Sequence, residues 1–414
     1  MKETNGTTKK VKPFYKPPSL VTKQALSVLC FGYLTRWRRL PQWLLQGRRT
    51  LPTAAGAIGM GCIGFPIHPV WEVTTACNLR CRHCHASAGK RQDDELNTED
   101  GIKLLHQIAS VPEFRMLVLT GGEPLVRPDI IELVEQASNL GLECSIATNG
   151  TLIDIGMAKR LKQAGVCNLA IGLDGATPDL HDYIRNSPGG YKRTLQGIHA
   201  CREAGICLQI NVTVMKHNYQ QIPEILDLAD DLGAQIVLLY QVVPQGRGTG
   251  DGLQLTKEEY ATLMEFVSQR QANAVSIIEP TCSPQYWVYL LQKRKFDHRR
   301  QGLAQKVFKG CAAGWGLCYI KPDGEVWPCP FVPVSGGNVR QRPLNQIWRE
   351  GEPFLKLQER GKNLKGNCAI CQWQKLCGGC RGRAYAHSGD YLGEDPLCFL
   401  HQISEVDTKS QAHV

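Results

Sequence analysis

Acidic side chains are almost missing from the start of this chain. Residues 1–50 hold one, Glu3, against eleven Lys or Arg. That imbalance carries the whole formal net charge of +10, and the remaining residues balance at 37 basic and 37 acidic. A folded body without net charge excludes a general nucleic-acid surface, which needs a basic face. A clean secretory signal is also missing, because the first apolar run is interrupted by Lys23. Residues 51–67 lack charge, but they are rich in Gly and Pro and short for crossing a bilayer. They read as a buried loop or hairpin. Residues 1–20 read as disordered, and residues 21–46 as a basic helix with Trp37 and Trp43. That helix either packs on the body or lies peripherally on an anionic membrane.

What the chain does not lack is cysteine, with 18 in 414 residues. A chain this long needs no disulfide scaffold, and several cysteines stand in C-x2-C pairs, which favours metal. Thiolate ligation in turn implies a reducing, cytoplasmic setting. The first group is Cys77-Asn-Leu-Arg-Cys81-Arg-His-Cys84, directly after the alternating run His68–Thr75. The run reads as a strand and the cysteines as the loop leaving it. Three thiolates can hold three irons of a four-iron four-sulfur cluster and leave the fourth iron open for chemistry. A closed zinc site is the alternative, with His83 or His85 as fourth ligand.

From Val70 onward strands and helices alternate. Strands are expected at Val70–Thr75, Met116–Thr120, Glu143–Thr148, Asn168–Leu173, Cys207–Val214 and Gln235–Tyr240. Thr98 is a plausible first cap, and Thr256-Lys-Glu-Glu259 has the capping-box pattern. Strands each followed by a helix imply parallel pairing through right-handed crossovers. The expected fold is α/β: a partial (β/α)6 TIM-type barrel over residues 68–275, after a basic arm over 1–67. A small cysteine-rich domain over 276–414 follows. In such barrels the loops after the strands carry the chemistry.

The cysteine spacing together with Gly121-Gly122-Glu123-Pro124 resembles the radical S-adenosylmethionine (SAM) superfamily. The resemblance implies that the open iron binds SAM, which is reductively cleaved to methionine and a 5′-deoxyadenosyl radical. It implies SAM contacts from Gly121, Gly122 and Glu123, from Thr148 and Asn149, from Asp174, and from Asn211. Arg185 suits a bidentate contact to the SAM carboxylate. Asn149-Gly150 and Asp174-Gly175 also read simply as turns, and Arg185 as a surface residue. The family commonly has Ser where this chain has Gly172, so a ligand contact there is lost or moved. His83 stands where many members place an aromatic against the adenine.

After residue 275 a basic helical bridge leads to Cys311, Cys318 and Cys329, with Asp323-Gly324 as a hairpin turn. Cys368-x2-Cys371-x5-Cys377-x2-Cys380 and Cys398 follow. This order resembles the SPASM domain, although the family has three residues before the cysteine matched by Cys380. Such domains hold two auxiliary four-iron clusters. By position, Cys311, Cys329 and Cys380 would hold one, with Cys318, Cys282 or nothing as the remaining ligand. Cys368, Cys371, Cys377 and Cys398 would hold the other. A zinc ribbon built from the two C-x2-C pairs is the alternative. Cys30, Cys62, Cys144, Cys167, Cys201 and Cys207 read as ordinary core or surface residues.

The ending from Cys377 to Cys398 resembles radical enzymes of the alternative haem and haem d1 pathways. The resemblances imply an oxidoreductase with three clusters that takes hydrogen from an unactivated carbon of a tetrapyrrole side chain. A peptide maturase and a non-catalytic electron-transfer protein are the alternatives. A small-molecule or peptide substrate and a reductant such as ferredoxin or flavodoxin are the expected partners. Tyr240, Glu279 and His387 are available as acid or base, and spacing does not choose among them.

Overall fold

The structure is a computed structural model of the chain, and it describes residues 36, 67–114, 116–249, 252–293, 301–302 and 310–400. The expectations for the N-terminal arm, for Cys30 and Cys62, and for most of the bridge after residue 293 lie outside the described residues. No helix among the described residues is long and apolar enough to cross a membrane.

Seven parallel strands succeed one another in space in chain order: β1 His68–Glu72, β2 Met116–Thr120, β3 Glu143–Thr148, β4 Val166–Gly172, β5 Cys207–Val214, β6 Ile236–Gln241 and β7 Ile277–Thr281. Helices α1 Thr98–Ser110, α2 Ile130–Asn139, α3 Ile155–Ala164, α4 Pro178–Arg185, α5 Gly190–Glu203, α6 Ile222–Asp231 and α7 Lys257–Gln271 make the crossovers, and α8 Gln285–Lys293 comes after β7. The alternation read from sequence is therefore present, but the sheet extends past the six expected strands. β7 covers the free edge of β6. At the other edge β8 Leu317–Ile320 lies parallel to β1, and β9 Val326–Trp327 returns antiparallel through the Asp323-Gly324 turn. These additions pair the outer edges of β6 and β1 and move the free edges of the open sheet out to β7 and β9. The C-terminal region carries α9 Leu344–Glu350, α10 Glu352–Gln358, α11 Arg360–Asn363, α12 Asn367–Ile370 and α13 Arg381–Ser388.

Local signals account for most helix ends. Thr256 and Glu259 form the capping box at α7. The cap of α1 is Asn97, whose side chain accepts from the Asp100 N–H at 2.9 Å. Thr98 instead donates to Asp129 at 2.7 Å and ties α1 to the start of α2. Asn wins at this position because its carbonyl oxygen reaches the N3 amide as well as a hydroxyl does.

The core lies between the sheet and the helices. Fully buried Trp71 of β1 packs against α1 where Gly101 leaves room for it: a Cβ there would stand 2.9 Å from the indole and 3.1 Å from Leu133. Overpacking of this kind costs about 1–3 kcal/mol. A Gly101→Val variant is expected to melt at a lower temperature than the parent, and an unchanged melting point would show that α1 can retreat from the sheet.

Candidate active site and cysteine centres

Parallel strands put every strand's C-terminal end at one rim. There the loop after β1 brings Cys77, Cys81 and Cys84 to a central cavity of about 350 Å³. Backbone bonds tie this loop to β2: Gly122 N–H donates to Thr74 O at 2.7 Å, and Glu123 N–H to Ala76 O at 2.8 Å. A Cβ on Gly122 would stand 2.2 Å from Ala76 O, so only glycine permits this approach. Arg247, after β6, clamps the same loop by donating to Cys81 O and to Ala88 O, both at 2.8 Å. Nothing in its spacing marked Arg247 beforehand, because its partners lie far back in the chain.

The cavity gathers most of the expected site. Gly121, Gly122, Thr148, Asn149, Asn211 and Arg185 line it. Asn149 also reaches the cysteine loop, donating to Asn78 Oδ1 at 2.8 Å. Ser145, Asn168 and Gln209 add a polar floor across β3, β4 and β5 that the motifs did not show. Asn168 donates to Ser145 Oγ at 2.8 Å and Gln209 to Asn211 Oδ1 at 2.7 Å. Tyr240 lines the cavity, whereas Glu279 does not and His387 is exposed on α13.

Two expected residues stand behind the wall instead of on it. Glu123 is fully buried and accepts from Thr148 Oγ1 and Asn149 N–H, both at 2.7 Å. It joins the loops after β2 and β3, and burial raises its pKa against the pull of those bonds. Asp174 is fully buried as well and accepts from Thr213 N–H at 2.7 Å. Its other oxygen is ion-paired with Arg185 Nε at 2.7 Å and stands 3.5 Å from His83 Nε2. Burial would raise the Asp174 pKa, but the Arg185 charge, the two neighbouring imidazoles and the Thr213 hydrogen bond together outweigh it and hold the carboxyl below its usual range. Arg185 is thereby fixed with its guanidinium beside the Cys81 sulfur. Gly172 makes this possible, since a Cβ there would stand 2.1 Å from Arg185 Nη2. The missing serine side chain has its place taken by the arginine fork. His181, buried behind Asp174, receives the Asp174 N–H at 3.3 Å and is kept neutral, pushed down to about 4 mainly by burial.

The later cysteines form two groups. Cys282, Cys311, Cys329 and Cys380 line one small cavity, and Cys368, Cys371, Cys377 and Cys398 another. Cys318 is not among them, which corrects the expectation that placed it at a cluster. Side chains alternate along a strand. On β8, Leu317 and Tyr319 face the central cavity while Cys318 and Ile320 enter the hydrophobic core. Cys282 stands at the small cavity beside Cys311, Cys329 and Cys380. It has a left-handed backbone, φ 58°, rare for a residue with a side chain. It also hydrogen-bonds Cys380, and that bond first, then the Arg383 charge, brings the Cys380 thiol down to about 7 despite burial. The same bond, with burial, pushes the Cys282 thiol up, so the pair shares one proton unequally. The two-residue spacing before Cys380 has its reason here. Gly378 and Gly379 are both left-handed, φ 65° and 64°, and this turn sends Cys377 to one cavity and Cys380 to the other. Asp395 braces the division, pairing with Arg383 through two 2.7 Å contacts and accepting from Cys380 N–H and Gln285 Nε2, both at 2.7 Å.

Among the described residues no three His, Cys, Asp or Glu side chains converge as a single ion requires. The cysteines line cavities, and soft thiolate donors suit iron–sulfur clusters. Cys282 and Cys329 line both their own cavity and the central one.

Comparison with known proteins agrees with this geometry. The Radical SAM superfamily matches residues 71–229, and SPASM, an iron-sulfur cluster-binding domain, matches residues 311–372. The AdoMet-dependent heme synthase of Methanosarcina barkeri is 38% identical over 333 residues, 79% of this chain and 95% of that protein. The chain belongs to the radical SAM superfamily. The Fe-coproporphyrin III synthase of the same organism is 33% identical over 354 residues, 80% of this chain and 87% of that one. In fold, Streptococcus suis SuiB bound to S-adenosylmethionine superposes with a TM-score of 0.63 at 18% identity, covering 82% of this chain and 78% of that one. This radical SAM enzyme works with S-adenosylmethionine and iron–sulfur clusters.

Two variants test the geometry. Gly172→Ser puts an oxygen into the Arg185 space, and is expected to raise the KM for SAM about tenfold, a loss of ~1.4 kcal/mol in binding, with iron content unchanged. An unchanged KM would free Arg185 from the SAM contact. Arg383→Ala leaves Asp395 as an unpaired buried charge, which costs about 3–5 kcal/mol. A melting point equal to the parent's would contradict the brace.

Proposed function

We propose that this enzyme modifies a tetrapyrrole side chain, with three four-iron clusters held by Cys77, Cys81 and Cys84; by Cys282, Cys311, Cys329 and Cys380; and by Cys368, Cys371, Cys377 and Cys398. The observation that carries the reading is one cavity lined by the first cysteine triplet and by Cys282 and Cys329. The relatives named for haem and iron-coproporphyrin synthesis support the substrate class.

When bound, the first cluster and SAM supply a 5′-deoxyadenosyl radical. The residues of this chain set the stage for it. Arg185, held by Asp174, meets the SAM carboxylate, and the polar floor from Ser145 to Asn211 orients the rest of the ligand. Loss of a hydrogen atom from the side chain, followed by loss of its carboxyl group as carbon dioxide, leaves one electron to be removed. Cys282 and Cys329 stand at the cavity wall where that electron would leave. Cys282, Cys311, Cys329 and Cys380 would hold a cluster with no iron left open, and such a cluster would supply a place for that electron rather than an anchor for substrate. The cytoplasmic setting, the ferredoxin or flavodoxin reductant and the membrane contact of the N-terminal arm belong to this proposal.

Anaerobic reconstitution tests it. With dithionite, SAM and iron-coproporphyrin, the protein is expected to form 5′-deoxyadenosine and a decarboxylated porphyrin, and Cys81→Ala to form neither. About twelve irons per chain are expected, falling to about eight when Cys282→Ala and Cys329→Ala are combined and staying at about twelve in Cys318→Ala. No 5′-deoxyadenosine would overturn the enzyme reading, and loss of iron in Cys318→Ala would overturn the ligand assignment.

A further inference from the structure

Beside the central cavity lies a second, more open one of about 560 Å³, within the roughly 300–1,000 Å³ usual for cofactor-sized ligands. His85, Tyr319 and Pro330 line both. The second cavity has flat walls from Trp327, Pro330 and Pro333, and a single lysine, Lys321, lies over the Trp327 ring with its nitrogen 5.0 Å from the centroid. The lysine is tethered by Glu72, whose Oε2 accepts from Lys321 Nζ at 3.0 Å and from Tyr319 OH at 2.8 Å. Glu72 lines the same cavity and partly balances that charge, and flat apolar walls beside a lysine fixed in this way fit a planar ring that carries carboxylates.

His85 is the unexplained group at the junction. Its ring is held 5.1 Å from that of Phe331, and its backbone is gripped by the loop after β6, where a Cβ on Gly246 would stand 2.2 Å from His85 O. Its Nε2 is buried and accepts or donates no hydrogen bond among the described residues. An unmade bond of this kind costs about 1–3 kcal/mol unless a ligand supplies the partner. The His85 side chain is at the wall of both cavities, and a turn about χ2 would present this nitrogen to the ligand. Imidazole nitrogen is a good donor to iron. Neither the first cysteine group nor the later ones uses it.

We propose that the second cavity seats the macrocycle of an iron tetrapyrrole and that His85 is the axial ligand of the substrate's iron. This rests on the tetrapyrrole reading above. Because His85 comes directly after Cys84, one loop then sets the place of both the SAM cluster and the macrocycle. A side chain at the ring edge is thereby directed through the shared wall toward the radical. The residue is a positioning group: it fixes the ring and takes no part in breaking bonds.

The test uses the reconstituted holoenzyme without SAM, with ferric coproporphyrin III and metal-free coproporphyrin III as probes, read by electron paramagnetic resonance and by binding titration. Ferric coproporphyrin is expected to acquire the signal of imidazole-ligated iron on binding. His85→Ala, checked for parental iron content and circular dichroism, is expected to lose that signal and to bind the ferric probe about tenfold more weakly. Its affinity for the metal-free probe is expected to stay the same, and added imidazole to restore the signal. If the parent binds ferric coproporphyrin without an imidazole signal, or His85→Ala keeps it, the axial-ligand proposal falls while the tetrapyrrole reading stands. If neither probe binds the parent, the tetrapyrrole reading falls and takes this proposal with it.

Discussion

The site depends on the parallel pairing of β1 with β8. Residues His68 to Trp71 lie against Leu317 to Ile320 in register, and this is the contact that returns the C-terminal region to the rim where the first cysteine loop leaves β1. Parallel pairing matters because it makes both strands point the same way, so the loops leaving β8 and β1 emerge at the same rim. The register also sorts the faces. His68, Val70, Leu317 and Tyr319 turn to the cavity, and Trp71, Cys318 and Ile320 to the core. A slip of one residue would exchange these sets, burying Tyr319 and exposing Cys318 to the cavity.

Around that frame, buried charge is used sparingly and beside sulfur. The Arg185–Asp174 pair lies by Cys81, and the Arg383–Asp395 pair by Cys380. Each carboxylate accepts at least one backbone N–H, which orients it as well as satisfying it. A buried pair of this kind adds little net stability, but it fixes geometry, since removing either partner leaves a charge that water cannot reach. Burial raises the Cys81 thiol, and the Arg185 charge works against that rise. The two-glycine turn between Cys377 and Cys380 completes the division of the later cysteines between two cavities.

Much of this was legible in the sequence where the signal is local. The C-x3-C-x2-C loop, the strand–helix alternation, the Thr256–Glu259 box and the Asp323-Gly324 turn are all set by neighbours in the chain, and all stand where the pattern places them. The rest depends on contacts between distant residues. Cys318 lies in a promising spacing, but the register of β8 on β1 decides which way it faces. Cys282 has no spacing partner, and its role emerges only from the cavity it shares with Cys311, Cys329 and Cys380. Glu123 and Asp174 belong to motif positions, yet the fold turns their carboxylates to loops and to Arg185. Arg247 and His85 acquire meaning only from the loop after β6 folding back onto the cysteine loop.

In the proposed function, the radical formed at the Cys77–Cys84 loop acts directly on a tetrapyrrole side chain in the shared cavity. Label transfer measures this step itself, using an iron-coproporphyrin deuterated along its carboxyl-bearing side chains, turned over anaerobically with unlabelled SAM. Deuterium is expected in the 5′-deoxyadenosine that forms. Unlabelled 5′-deoxyadenosine released alongside modified porphyrin would contradict direct attack by the radical.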